Sequence, residues 1–271
     1  MISELFEQIS ARSPRLKRWM WRVWYDLLAY TCRDPTWTFM NFGYRHSDPA
    51  IELLPLLPED EPDRSAIQLY HHVLGGVDLN GRDVLEMGCG RGGGCWYISR
   101  YCTPRSMTGL DLSQRTIAHC SRRYAGASLS FRQGEAESMP FADEAFDVVI
   151  NVESLHCYLS MQRAISEVCR VLRASGHFVL ADLRPAEEIP ALREQLCSAD
   201  LRLVRQEIIT ANVLAALDDD HERKRALINE KIPRLIRAQF QQFAGLRDSP
   251  IYQAIRERRA EYVSYVFRKE I

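Results

Sequence analysis

Asp83-Val-Leu-Glu-Met-Gly-Cys-Gly-Arg-Gly-Gly-Gly94 is a short apolar run that breaks into a cluster of glycines. Cys95-Trp-Tyr-Ile98, immediately after it, has the composition of a helix start. A buried parallel strand entering a tight turn and then a helix accounts for this order. Glycine lets the backbone turn sharply and lets a ligand approach the peptide groups closely. Gly88, Gly90 and Gly93 satisfy the loose dinucleotide-binding spacing, which many strand-to-helix turns share. Glu86, two residues before the first glycine, narrows the reading. With Gly88, Gly90 and Gly92 it forms acid-x-Gly-x-Gly-x-Gly.

Working outward, apolar runs alternate with helical segments, the pattern of a parallel sheet flanked by helices. The strands are expected at Val84–Met87, Ser106–Leu110, Leu129–Arg132, Phe146–Asn151, His177–Ala181 and Leu201–Ile209, with a last one at Glu261–Arg268. Asp63–Leu74 reads as a helix leading into this core. Ala211–Leu246 is strongly helical and charged, which makes it a cap over one edge of the sheet. The stretch Asp218-Asp-Asp-His-Glu-Arg-Lys-Arg225 reads as a solvated helix start. The proline-rich Asp48–Pro62 segment breaks helices and marks a boundary. The expected division is a helical and aromatic segment at 1–75, a nucleoside-binding core at 76–210, a helical cap at 211–256 and the last core strand at 257–271.

Composition excludes several classes. The formal net charge of -1 gives no basic face for nucleic acid. The eight cysteines are scattered without metal-ligand spacing, and no His/Asp/Glu cluster has it either, so no metal is expected. With no leader visible, reduced cysteines in a cytoplasmic protein are the expectation. No apolar stretch approaches the roughly 20 residues of a membrane span. Arg15-Leu-Lys-Arg-Trp-Met-Trp-Arg-Val-Trp-Tyr25 interleaves cations with aromatics at near-helical spacing. Two readings stand: a helix that buries its aromatics on the core, and a surface for a membrane or lipid-like partner.

Asp111 closes the second strand about twenty residues past the glycines, where a carboxylate can accept both ribose hydroxyls of a nucleoside cofactor. Asp111 or Ser113 could equally cap the following helix. In the sheet order 3-2-1-4-5 the fourth and fifth strands are neighbours, about 4.8 Å apart. Asn151-Val-Glu-Ser-Leu-His156-Cys-Tyr158 follows one and Ala181-Asp182-Leu-Arg-Pro185 ends the other. His156 and Asp182 therefore fall within reach of each other at the ligand-binding edge. A histidine with an ordinary pKa near 6.5 suits removal of an alcohol proton, and a carboxylate fixes its tautomer and raises its basicity. A histidine satisfied by backbone beside a solvated Asp182 is the structural alternative. No Gly-x-Ser-x-Gly elbow supports hydrolase chemistry.

The Glu86–Gly92 motif resembles motif I of the class I S-adenosylmethionine (SAM) methyltransferases. Gly134-Glu-Ala-Glu-Ser-Met-Pro-Phe141 is similar to their Gly-Asp-Ala-x-x-Leu-Pro-Phe stretch, with Glu135 in place of the usual Asp. The His156–Asp182 pairing resembles that of sugar O-methyltransferases acting on natural products. Across most of the chain, Asn41-Phe-Gly-Tyr44, the Asp83–Gly94 loop, Asn151–Tyr158 and Ala181–Pro185 look like the phthiotriolone dimycocerosate methyltransferase family. That resemblance implies a Rossmann-like sheet of order 3-2-1-4-5-7-6, with a helical N-terminal segment and a cap before the last strand. It implies SAM as cofactor, held by Glu86, Gly88, Cys89, Gly90, Gly92, Asp111, Leu112, Glu135, Ala136 and Asn151, with Tyr44 as a lid. It also implies a hydrophobic polyketide- or lipid-like acceptor methylated on a hydroxyl, with His156 as base. C- or N-methylation with a coupled cyclisation, a non-catalytic SAM-binding scaffold and a nicotinamide-dependent reductase remain alternatives. A homo-oligomer is left open.

Overall fold

The computed structural model describes residues 37–270 apart from Pro49, Glu52, Ala125 and Ala127. The aromatic, basic helix expected in 15–30, and its membrane or lipid contact, lie outside the described residues.

Among the described residues there are seven strands: β1 (Asp83–Met87), β2 (Ser106–Asp111), β3 (Leu129–Gln133), β4 (Phe146–Val152), β5 (Leu172–Pro185), β6 (Leu201–Ile208) and β7 (Ala260–Lys269). They form one sheet in the order β3-β2-β1-β4-β5-β7-β6. The pairs from β3 through β5 are parallel, whereas β7 runs antiparallel to both of its neighbours. This is the Rossmann-like methyltransferase topology the sequence motifs imply. The helices are α1 (Arg64–Leu74), α2 (Gly93–Tyr101), α3 (Gln114–Arg123), α4 (Met161–Val171) and α5 (Ile189–Cys197), then α6 (Thr210–Lys231), α7 (Arg237–Phe243) and α8 (Pro250–Arg256).

A parallel sheet is stable when helices cover both faces, and its inner strands are then apolar on both. β1 obeys this rule. Val84 joins the cluster formed with Val73 of α1 and Ile98 of α2, while Leu85 and Met87 point into the opposite cluster with Val168 of α4 and Leu192 of α5. A third, smaller cluster joins Ile228, Ile232, Phe240 and Leu246 of the cap to Trp37 and Met40. The aromatic segment ahead of the core is thereby fastened to the cap.

Two expectations are corrected. β5 begins five residues earlier than expected, at Leu172. The polar Arg173-Ala-Ser-Gly176 concealed it, because the register shifts between Phe146 and Val148 and Ser175 takes a left-handed φ of 64°. The cap consists of α6, which Pro233 terminates, and two short helices after it. Asp218–Arg225 is the middle of α6 rather than a solvated start, and His221 within it is buried with Nδ1 accepting from Arg247 N at 3.3 Å. Among the described residues no helix is long and apolar enough to cross a membrane.

Candidate active site

The C-terminal edge of the parallel strands opens onto a cavity of about 1060 Å³. Gly88, Cys89 and Gly90 line it after β1, Asp111 and Leu112 at the end of β2, and Glu135 and Ala136 after β3. Glu153, Ser154 and His156 line it after β4, and Leu183 and Arg184 on β5. Helices α7 and α8 and the Thr38–Phe42 segment complete the wall. Open α/β sheets bind ligands at this edge.

The glycine loop is shaped by close approach. Gly88 has φ +74°, and a Cβ there would stand 2.3 Å from Ser154 Oγ. Ser154 Oγ donates to Met87 O at 3.1 Å, so the loop after β4 rests directly on the turn. Gly94 is equally constrained, since its Cβ would lie 2.2 Å from the Tyr70 ring. That clearance lets Tyr70 OH donate to Glu86 Oε1 at 2.5 Å, while Cys95 Sγ donates to Oε2 at 2.9 Å. Burial pushes the Glu86 carboxyl up to about 7, against the opposing pull of those two donors. Glu86 faces α1 and α2 beneath the loop and does not reach the cavity wall; it braces the turn from behind.

Asp111 does reach the cavity. Its Oδ2 accepts from Gly90 N at 3.0 Å and its Oδ1 from Ser113 N at 2.9 Å. Ser113, not Asp111, caps α3 by accepting from Thr116 N. The carboxylate at the end of β2 therefore belongs to the cavity, as a nucleoside-binding acid requires.

Three other expected contacts lie off the wall. Tyr44 is buried and stacks on His72 at 4.3 Å between centroids, so it packs under the lid segment instead of closing over the cavity. Gly92 faces Cys120, Tyr124 and Phe131. Asn151 is wholly buried; its Nδ2 donates to Met87 O, Ser154 Oγ and Tyr158 OH, and its Oδ1 accepts from Leu155 N. It sets the path of the loop that carries His156.

His156 and Asp182 meet. The ring Nδ1 is 2.6 Å from Asp182 Oδ1, and Arg184 Nε donates to Asp182 Oδ2 at 2.9 Å. Register explains the meeting, because Val152 pairs with Ala181; His156 lies just past the end of β4, and Asp182 is the next residue of β5, which runs on to Pro185 instead of ending there as expected. Burial disfavours the imidazolium, but Cys157 and the Asp182 carboxylate more than offset it and hold His156 well above its ordinary value. Burial likewise opposes ionisation of Asp182, yet His156 and Arg184 keep it below the usual carboxylate range.

Glu153 lines the same cavity, and nothing in its local sequence marks it. It takes φ +50°, rare for a non-glycine residue. Its Oε1 accepts from Phe42 N at 2.7 Å and from Tyr262 OH at 2.6 Å, joining the lid segment and β7 to the end of β4. Arg91, in the glycine loop, holds the lid from the other side by donating to Trp37 O.

The comparisons show which class of protein carries this fold and this edge. A family model described as a methyltransferase domain matches residues 85–180. The chain is 40% identical over 251 residues to the phthiotriol/phenolphthiotriol dimycocerosates methyltransferase of Mycobacterium tuberculosis, covering 93% of this chain and 92% of that one. It is 38% identical to a fatty-acid O-methyltransferase of Mycolicibacterium smegmatis, over 88% of this chain and 85% of the relative. The chain belongs to the SAM-dependent methyltransferases, in the family of the phthiotriol/phenolphthiotriol dimycocerosates methyltransferases. Among solved structures the cyclase SpnF superposes with a TM-score of 0.69 at 22% identity, covering 93% of this chain and 94% of that one. That likeness concerns the fold, and one fold hosts different reactions.

The close approach at Gly88 carries a prediction. Gly88→Ala is expected to displace Ser154 and to cost about 1–2 kcal/mol in the left-handed backbone alone. Affinity for S-adenosylhomocysteine, measured by calorimetry, is expected to fall at least tenfold. Wild-type affinity together with an unchanged melting temperature would refute this account of the loop.

Proposed function

We propose that the protein transfers the methyl group of SAM to a hydroxyl of a hydrophobic, polyketide- or lipid-like acceptor, with His156 as general base. The observation that carries this reading is the 2.6 Å His156–Asp182 contact on a cavity that the glycine loop and Asp111 also line. The fit to the cofactor rests on donor chemistry: a carboxylate for ribose hydroxyls at Asp111, and closely approachable backbone at Gly88 and Gly90. Leu112, Glu135 and Ala136 stand on the side where the adenine would lie.

Bound SAM supplies an activated methyl group on a sulfonium leaving group. The chain's own residues supply the rest. Asp182 engages Nδ1 and so directs the basic lone pair of His156 to Nε2, which takes the acceptor hydroxyl's proton as the oxygen bonds to the methyl carbon. Arg184 and the Leu183 N–H, which donates to Asp182 Oδ1 at 3.1 Å, keep the carboxylate oriented. The Thr38–Phe42 segment and α7 cover the cavity against water, with Trp37 set against Phe240 and Phe243 at 6.0 and 6.4 Å between centroids. The names of the relatives support an acceptor of lipid character, and the Phe42, Leu183, Phe243, Ile251 and Ala254 lining suits one.

One observation favours a second acceptor chemistry. A protonated His156 would hold an anionic carboxylate, and one relative is named as a fatty-acid O-methyltransferase. Supplying octadecane-1,3-diol and octadecanoic acid separately with SAM distinguishes the two. Mass spectrometry is expected to show a methyl ether from the diol. A methyl ester from the acid, with no ether, would transfer the assignment to carboxylates.

A further inference from the structure

A second cavity, of about 510 Å³, opens beside the C-terminal end of α1. It shares no described lining residue with the cavity that His156 and the glycine loop line. Its polar wall is Gln68, His71 and His72 of α1, His46 of the segment ahead of α1, and Arg205 of β6. Ile51, Leu53, Leu54 and Pro55 form an apolar wall. No carboxylate stands among the described residues that line it.

The polar wall is held in place from outside. Tyr44 stacks on His72 at 4.3 Å between centroids and meets His46 edge-on at 5.0 Å, so one ring positions both imidazoles. Arg205 reaches across from β6, and its Nη2 donates to His72 O and Val73 O at 2.8 and 3.2 Å. These are last-turn carbonyls, which lack partners within the helix. The guanidinium can lie there because a Cβ at Gly75 would stand 2.2 Å from Nη2.

Gln68 has no such structural partner. It is only 5% exposed, yet its amide makes no hydrogen bond among the described residues. Arg205 Nε is sealed in by protein, whereas the Gln68 amide stays open to the cavity. A buried amide left unpaired costs the desolvation of its donor and acceptor, which a leucine of similar shape avoids. The imidazoles add a second sign. Burial pushes His72 down to about 4 against the opposing pull of Glu207, and Arg205 and His46 push it further. Burial also lowers His71, and His46 adds to the effect. A proton on either ring thus meets positive neighbours. Glu207, 2.9 Å from His72 Nε2, answers them from outside the lining.

A negative group placed here would give the Gln68 amide a partner and relieve that crowding. Ile51 and Leu53, both large and half-exposed, would be covered by an apolar tail. We infer that this cavity is a second ligand site, for an amphipathic carboxylate whose head meets the Gln68 amide and the imidazoles beside Arg205 while a short alkyl chain lies on Ile51, Leu53 and Leu54. Charge-assisted hydrogen bonds are roughly twice as strong as neutral ones, so the head sets the selectivity. A carboxylate held here is a bound ligand and not a methyl acceptor, because His156 stands on the other cavity.

The test titrates sodium octanoate and octan-1-ol into the full chain, histidine-labelled and saturated with S-adenosylhomocysteine, and follows the imidazole resonances by NMR. One spectrum reports both cavities, through His46, His71 and His72 on this one and His156 on the other. Octanoate is expected to shift His46, His71 and His72 saturably, and to bind about tenfold more tightly than octan-1-ol. Gln68→Leu is expected to weaken octanoate about fivefold or more, while its ligand-free melting temperature rises by about 2–4 °C as the unpaired amide is removed. His46→Ala, outside the core, is expected to weaken octanoate severalfold as well. Octanoate shifts confined to His156 would place the carboxylate in the methyl-transfer cavity and overturn the inference. So would the absence of any saturable shift, equal affinity for the alcohol, or undiminished octanoate binding in either variant.

Discussion

His156→Ala is expected to lower kcat for methyl transfer by roughly 10²- to 10⁴-fold, the contribution of a well-placed general base. Affinity for S-adenosylhomocysteine is expected to change by less than twofold. The split follows from position. The glycine loop, Asp111 and the Glu135–Ala136 turn stand on β1 to β3, whereas His156 stands on the loop after β4, held there by Asn151 and Leu155 N. Removing the imidazole leaves every hydrogen bond of Asn151 in place, so the cofactor side keeps its shape. Single-turnover rates with pre-bound SAM would read the chemical step directly. Full activity in His156→Ala would end the base assignment and favour an acceptor that is already nucleophilic, such as a carboxylate, an amine or an activated carbon.

Asp182→Asn gives the second large effect, and it is a shift in pH. A base must be neutral to work. Because Cys157 and Asp182 outweigh burial and hold His156 well above 6.5, kcat/KM in wild type is expected to rise with pH through a limb above that value. Asparagine keeps the shape of Asp182 but removes its charge, so the limb is expected to move down toward 6.5 while the plateau falls by about 10- to 100-fold. An unshifted limb with an unchanged plateau would show that the pair does not act in the reaction. Stability follows the same groups. The raised His156 contributes stabilisation that is complete below its ordinary 6.5 and is lost as pH climbs through its folded value. The lowered Asp182 contributes above its ordinary 3.8 and loses this as pH falls. The melting temperatures of wild type and Asp182→Asn are therefore expected to differ most between those limits. The loss there is up to about 3 kcal/mol, since Arg184, only 11% exposed, is left without its charge partner.

The strands of the sheet were legible because each is a short apolar run closed by a turn signal, and parallel strands are apolar on both faces. Their order came from motif resemblance, since periodicity does not say which strand lies beside which. His156 and Asp182 were legible because one follows β4 and the other lies on the neighbouring β5, and once the strand order is known the spacing of adjacent strands brings them together. Glu86 shows the limit of a motif. An acid at that position is readable, but nothing local reveals that Tyr70 and Cys95, one of them sixteen residues upstream, occupy both of its oxygens. Tyr44 failed for the same reason, since its partner His72 comes from α1. Glu153 was invisible because its role depends on a backbone angle and on two donors, Phe42 and Tyr262, each more than a hundred residues away. Long-range side-chain partners leave no local periodicity to read.

The place of β7 has a consequence for how the chain is made. It lies between β5 and β6, and among the described residues β6 has no other strand beside it. As the polypeptide emerges from the ribosome, β1 to β5 can assemble in turn, each against a strand already present. β6 cannot. Its place in the sheet must wait until β7 arrives and slots between. The part of the protein that carries the glycine loop and Asp111 can thus exist before the part that carries α6 to α8. A chain cut just before Ala260 would be expected to keep the fold of the first and lose that of the second.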